Sequence, residues 1–251
     1  MGTVYAIANE KGGQAKTTTA LALVEGAARR GWRILAIDAD PQGALTYELA
    51  KDQNAGGLYE ILTGSTTPQD ATVTTRTENA YLWSASGALA AIDGKLSGKN
   101  KFFALRKALE LARVRFDYVF IDCPATVNTI HLNAMLAADR LLIPATPDAY
   151  SMRSIQHTLQ SLQTAQENGN EKLQLAGVLF TRCRNTTAQK SIISAARAAM
   201  GDKILDTTVR DRTAVQTASL LGMSLWTDNA TKDTAADYEA LLDELQIRRR
   251  S

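Results

Sequence analysis

Cysteine is nearly absent from this chain of 251 residues: Cys123 and Cys183 are the only two, far apart and each in an apolar or mixed stretch. That excludes a small scaffold stapled by disulfides and predicts reduced thiols in a cytosolic core. Neither stands in the glycine-rich setting of cysteines that share an iron–sulfur cluster. Histidine is as scarce. His131 and His157 lie singly on helix-like runs with no partner at metal-ligand spacing, and are predicted to be core or surface residues. No apolar run approaches the roughly 20 residues that a membrane span needs. Met1-Gly2-Thr3 leads straight into a strand, without a signal peptide's apolar core or a myristoylation pattern. The expectation is a cytosolic protein. Net charge is only +2, so overall charge singles out no polyanionic partner.

What the chain does have is an ordinary globular composition, 45% hydrophobic and 22% charged. Its length fits one large α/β domain over residues 1–251, able to bury about three quarters of its unfolded surface. Apolar strand-like runs at 4–8, 34–37, 81–83, 118–121, 141–143, 175–180 and 204–205 alternate with helix-like runs at 19–29, 101–113, 132–138, 152–166 and 187–200, and two further helices close the chain. Residues 45–64 look helical in pieces, and the Thr-rich stretch 65–79 reads as a surface excursion. Solid apolar strands alternating with amphipathic helices predict a doubly wound, mostly parallel sheet with helices on both faces. Ligand then sits at the carboxyl ends of the strands.

Between the first strand and the first helix stands Lys11-Gly12-Gly13-Gln14-Ala15-Lys16-Thr17-Thr18. A glycine-rich turn opening a helix aims backbone N–H groups and the positive end of the helix dipole at one point, which is a cradle for phosphate. Lys16 would neutralise β- and γ-phosphate charge, and the Thr17 hydroxyl stands where such loops hold Mg²⁺. The general phosphate-loop pattern wants glycine where Glu10 and Ala15 stand, so a variant loop is expected. If the backbone at Ala15 needs a positive φ, its Cβ strains the loop by about 1 kcal/mol or more.

Three carboxylates end predicted strands. Asp122 closes the run 118–121, where a phosphate-loop protein places an acid for Mg²⁺; a helix-cap or turn role is the alternative. Asp38 and Asp40 stand at the mouth of the second strand, Asp38 as a further candidate for the metal and Asp40 as the better placed toward the γ-phosphate. An ordinary carboxylate is ionised at neutral pH and can polarise an attacking water.

The loop from Lys11 to Thr18 resembles that of the deviant Walker ATPases of the ParA/MinD family, KGGxGKT, and departs from it only at Ala15. Asp38-Ala39-Asp40-Pro41-Gln42-Gly43 is similar to the family's first switch, DxDPQG, and the segment 116–124 to its second nucleotide motif, with Ala125 in place of a further proline. Residues 132–139 and 143–147 are similar to the helix and strand that follow. The resemblance covers most of residues 3–156 and implies a P-loop NTPase fold with ATP and Mg²⁺ as cofactors. It further implies an ATP-bound homodimer in which Lys11 reaches the partner's ATP, with Asp40 orienting water and the loop after the strand 175–180, here Thr181 and Arg182, near adenine. Closest in kind are the ParA/Soj-like partition ATPases, which act in the cytoplasm on the nucleoid with a ParB-like activator.

Residues 182–212 hold seven basic side chains, Arg182, Arg184, Lys190, Arg197, Lys203, Arg210 and Arg212, against the acidic Asp202, Asp206 and Asp211; Arg248, Arg249 and Arg250 follow near the end. From charge alone this is a solvated face; the resemblance turns it into a candidate surface for non-specific DNA. The closing stripe Tyr238, Leu241, Leu242, Leu245 and Ile247 is backed by acidic residues, which fits core docking better than a MinD-type membrane helix. No helix-turn-helix pattern precedes Val4, so no operator-reading domain is expected there. Alternatives that stay open are a non-hydrolysing nucleotide-dependent scaffold, a MinD-like positioning ATPase and an ATP-dependent metabolic ligase of similar fold.

Overall fold

The computed structural model describes residues 2–52, 57–98, 101–220, 223–227 and 229–250. Its centre is an eight-stranded sheet built from β1 (Thr3–Ile7), β2 (Ile34–Asp38), β3 (Val73–Thr74), β4 (Ala80–Trp83), β5 (Tyr118–Asp122), β6 (Arg140–Ala145), β7 (Gln174–Cys183) and β8 (Ile204–Arg210). The order is β3-β4-β2-β5-β1-β6-β7-β8, parallel throughout except for the β3/β4 pair. The predicted doubly wound sheet is what forms. β1 is central: the chain leaves it toward β2 on one side, and after β5 crosses to β6 on the other. That reversal opens a crevice at the carboxyl ends of the strands.

Both faces are covered, and successive strand residues serve opposite sides. In β5, Val119 and Ile121 join one core while Phe120 joins the other. The first core packs under α3 (Leu58–Thr63), α4 (Ala104–Ala112), α5 (Thr129–Ala137), α6 (Ser151–Glu167) and α7 (Thr187–Met200). The second packs under α1 (Lys16–Arg29), α2 (Ala44–Leu49), α8 (Thr213–Leu220) and α9 (Lys232–Glu244). α1 is buried almost all round because its apolar residues are interleaved with small ones, Ala20, Ala22, Gly26, Ala27 and Ala28. A Cβ on Gly26 would stand 2.6 Å from Leu242 and 2.7 Å from Trp226, so the close approach of α9 requires glycine there. Gly31, at φ 89°, ends α1 with bonds back to its last turn.

Three differences from the sequence reading have local causes. α1 begins at Lys16 rather than at residue 19, because its first turn is made of the polar Lys16-Thr17-Thr18 and carries no apolar period. The excursion 65–79 contains the two-residue strand β3, too short to show an alternation. β8 runs to Arg210, five residues past the apolar pair Ile204-Leu205, since Asp206, Thr207 and Thr208 sit on an edge strand where one side needs no apolar cover.

The closing stripe docks in the second core: Tyr238, Leu241, Leu242 and Ile247 are buried. Among the described residues no helix is long and apolar enough to cross a membrane. Arg30, at the end of α1, fastens this segment. Its side chain is 6% exposed, and the guanidinium pairs with Glu239 and with Asp243 at 2.7 Å and donates to the carbonyls of Glu239 and Ile247. Arg30→Met keeps the stem and removes the donors, leaving the buried Ile247 carbonyl without this bond. The expected loss is about 2 kcal/mol of unfolding free energy, read as a lower denaturant midpoint at unchanged slope.

Candidate functional site

The loop between β1 and α1 is shaped by two left-handed residues, Gly13 at φ 74° and Ala15 at φ 60°, ψ 32°. Glycine adopts this conformation freely; for alanine it costs roughly 1–2 kcal/mol. The condition posed by the sequence, a positive φ at Ala15, is therefore met. Left-handed residues alternating with others turn successive amides to one side, and the open amino end of α1 continues the row. The frame that holds the loop is polar and mostly buried. Asn9 donates to the Pro144 carbonyl at 2.8 Å and accepts from the Lys11 amide at 3.0 Å. The Gln14 side-chain oxygen accepts from the Thr146 amide at 2.8 Å and hydroxyl at 3.1 Å.

A cavity of about 410 Å³ opens over this loop, its walls running from Gly12–Thr18 through Asp40 and Ala125 to Thr181, Arg182 and the 209–212 turn. Lys16 is 8% exposed and is the first residue of α1. Asp40 is half-buried; one of its oxygens caps the turn through the Gln42 amide at 3.0 Å. Thr181 and Arg182 line the wall, where the Thr181 hydroxyl donates to the Gln14 carbonyl at 3.2 Å.

Three expected residues lie outside the cavity. Lys11 is turned onto Asp148 at 2.6 Å, over the Tyr150 ring. Parallel register sets Asp38 directly beside Asp122 at the ends of β2 and β5, both fully buried beneath the cavity floor. Asp38 is occupied structurally: it accepts from the Thr46 amide at 2.7 Å and hydroxyl at 2.8 Å, and from the Asp40 amide at 3.2 Å. Burial pushes its pKa up to about 6, with those bonds acting the other way. Neither oxygen of Asp122 has a hydrogen-bond partner. Burial, then the neighbouring Asp38, pushes the Asp122 pKa up to about 8, against the pull of Thr17 and Lys16. Among the described residues no three His, Cys, Asp or Glu side chains gather into a metal cluster. A divalent ion here would rely on Thr17, Asp122 and ligand oxygens. The orphaned, buried Asp122 carboxylate beside Thr17 fits that use.

Sequence reasoning missed the far wall: Val209, Asp211, Val215, Thr234 and Tyr238. The signal was cut off where the apolar run of β8 stopped at Leu205, and the Tyr238 ring was visible only as part of a core stripe. Its hydroxyl lies 3.2 Å from that of Thr19.

The basic residues are largely compensated within the chain. Arg182 and Arg184 face Asp211 at 3.8 and 2.7 Å, Arg210 pairs with Asp237 at 2.8 Å and Arg212 with Asp233 at 3.2 Å. Arg197 donates to the Leu205 and Asp206 carbonyls. Lys190 and Lys203 are exposed and form no ion pair among the described residues. Two of the acidic partners, Asp233 and Asp237, lie on α9, outside the stretch whose charge looked basic. Arg250 is elsewhere altogether, against Trp32 and 3.2 Å from Asp117 at the amino ends of the strands. Cys123 and His131 are fully buried, and burial raises the thiol pKa and lowers that of the imidazole, which has no partner on either nitrogen.

A family model described as an AAA domain matches residues 2–175. Over 225 residues the chain is 32% identical to the chromosome partitioning protein ParA of Caulobacter vibrioides, covering 87% of this chain and 84% of that protein. It is 31% identical over 213 residues to the sporulation initiation inhibitor protein Soj of Bacillus subtilis, covering 83% of this chain and 84% of that one. Among solved structures, apo McdA of Cyanothece is similar with a TM-score of 0.88 at 25% identity, over 98% of this chain and 100% of that chain. Cobyrinic acid a,c-diamide synthase of Mycobacterium smegmatis, solved with ADP and magnesium, gives 0.83 at 27% identity over 98% and 96%. On the family match over residues 2–175 and the identity to these relatives over most of its length, the chain belongs to the ParA/MinD-type family of P-loop ATPases.

Proposed function

We propose that this protein, working as one P-loop ATPase domain, binds ATP and Mg²⁺ in the cavity over Gly12–Thr18 and closes as a homodimer on ATP. In that state it rides on DNA without sequence preference, in the cytoplasm at the nucleoid, and positions a plasmid, chromosome or other cargo. A ParB-like activator triggers hydrolysis, which releases it. The observation that carries this reading is the pair of left-handed residues before Lys16, set above an unpartnered buried carboxylate, Asp122. The names of the relatives, chromosome partitioning proteins among them, supply the cargo class.

In this reading the loop amides and Lys16 hold the phosphates, and Thr17 with Asp122, backed by Asp38, holds Mg²⁺, which would neutralise charge on the β- and γ-phosphate oxygens. Asp40 orients the attacking water, and Lys11 leaves Asp148 to reach the partner subunit's nucleotide. That exchange is feasible because the pair is partly exposed, with side chains 34% and 38% accessible, and such pairs are worth under about 1 kcal/mol. Arg182, Arg184, Lys190, Arg197, Lys203, Arg210 and Arg212 remain the proposed DNA-contacting set. Lys190 and Lys203 are free for phosphate at once; the arginines exchange an aspartate for it. A non-hydrolysing scaffold is the second reading, favoured by the strain at Ala15.

The decisive experiment is co-sedimentation with random-sequence DNA together with phosphate release, with and without ATP. ATP-dependent, salt-sensitive DNA binding with slow turnover is expected, both abolished in Lys16→Ala. Asp40→Ala should stay on DNA as an ATP-bound dimer. Turnover no higher than in Lys16→Ala, with DNA binding intact, would instead select the scaffold; ATP use without any DNA association would point to a metabolic ligase.

Asp122→Asn separates stability from function. An Asp whose folded pKa is raised holds its proton more tightly when folded, so the metal-free protein loses stability as pH climbs from the ordinary carboxylate value toward 8. The substitution should raise the melting temperature of the metal-free protein at pH 8, flatten its fall between pH 6 and 8, and remove the Mg²⁺-dependent part of ATP binding. A steeper fall in the variant would contradict it.

A further inference from the structure

Ala15 stands where the conformation favours glycine, yet the loop is well formed. Strain of this kind persists only where the surroundings over-determine it. The structure shows what does so. The Gln14 side chain is 3% exposed although its amide is polar, and each end of that amide is used: Nε2 donates to the Gly12 carbonyl at 3.3 Å, while Oε1 accepts twice from Thr146, just past β6. The Gln14 backbone carbonyl accepts from the buried Thr181 hydroxyl in β7 at 3.2 Å. The peptide plane that precedes Ala15, and so sets its φ, is held on one side by that bond. The carbonyl of Ala15 is held on the other by the first helical bond, from the Thr19 amide at 2.9 Å. For Ala15 to relax to a negative φ, the Gln14–Ala15 plane must rotate and the Gln14 contacts must break.

We propose that Gln14 is a positioning residue whose side chain, with the Thr181 hydroxyl, clamps Ala15 in the left-handed conformation and so keeps the phosphate cradle assembled before nucleotide arrives. The role rests on the nucleotide-binding reading above. It is tied to alanine: glycine takes the same φ without cost, so a loop with glycine at that position does not depend on the clamp.

The test is a double-mutant cycle on Mg-ADP affinity by titration calorimetry, using Gln14→Leu, Ala15→Gly and the double variant. Gln14→Leu should weaken Mg-ADP about tenfold, or about 1.4 kcal/mol. The same change in the A15G background should cost threefold or less. An equal loss in both backgrounds, or none in either, overturns the clamp, because a general packing role for Gln14 would not depend on residue 15. A second readout needs no ligand: the strong intraresidue amide–Hα Overhauser effect of a positive φ should mark Ala15 in the nucleotide-free protein and fade in Gln14→Leu. Thr181→Val leaves the Gln14 side chain in place and serves if Gln14→Leu folds poorly; because Thr181 also lines the cavity, it is judged by the ligand-free Ala15 signal, which should fade, and whose persistence overturns the clamp. If the unsubstituted protein binds no nucleotide, the proposed function fails by itself, and the Ala15 signal still decides the clamp: its persistence in Gln14→Leu overturns it.

Discussion

Parallel pairing of β5 with β1 on one side and β2 on the other sets Ile7, Asp38 and Asp122 level at one edge of the sheet. Each residue beyond that line leaves the sheet as loop, so the phosphate loop, the 38–43 turn and the 122–128 turn emerge side by side. A slip of one residue in either pairing would turn a carboxylate into the wrong core. Apolar side chains fix the register, since Val4, Ala6, Ile7, residues 34–37 and residues 119–121 of these three runs are all fully buried. The chemistry of the edge is thus inherited from hydrophobic packing that never touches a ligand.

Placing two acids at that line has a cost, and the two meet it differently. Asp38 is surrounded by donors from Thr46 and Asp40, which turns a buried charge into the organiser of the adjacent turn. Asp122 has no such donors. Its raised pKa and unpaired oxygens express the same fact: burial and Asp38 disfavour this charge more than Thr17 and Lys16 favour it, which is the imbalance that the proposed Mg²⁺ would offset. The strained Ala15 directly precedes Lys16 and Thr17, both of which act on Asp122, so the least comfortable backbone and the least comfortable side chain of the crevice belong to one neighbourhood, and both are borne by a large two-sided core.

The sequence made this arrangement legible where local chemistry is specific. A run of glycines ending in Lys16-Thr17 needs no tertiary context to be read, and solid apolar runs such as residues 118–121 announce buried parallel strands. The positive φ at Ala15 could be posed from the sequence only as a condition, because Ala15 stands where the loop pattern has glycine; the structure meets it. What was hidden depends on long-range neighbours. The polar middle of β8 disguised a strand whose far end lines the cavity. The pairing of the arginines in 182–212 was partly hidden by sequence distance: Asp211 answers Arg182 and Arg184 from within the stretch, but the acids that answer Arg210 and Arg212 arrive on α9, more than twenty residues later.

That compensation changes how charge in the crevice should be understood. Lys11 with Asp148, Arg184 with Asp211, and Arg210 and Arg212 with Asp233 and Asp237 are all exposed or partly exposed pairs. Exposed pairs contribute little to stability. Their effect is on specificity, since an arginine already facing a carboxylate attracts a passing anion weakly and yields only to one with higher charge density or better geometry, such as a phosphate ester. The paired arginines therefore make a poor general polyanion trap, and in the proposed DNA binding Lys190 and Lys203 would be the first contacts for a phosphate backbone. A surface built this way would show a shallow salt dependence if the lysines act alone and a steeper one if the arginines follow, so the slope of affinity against salt counts the pairs that open.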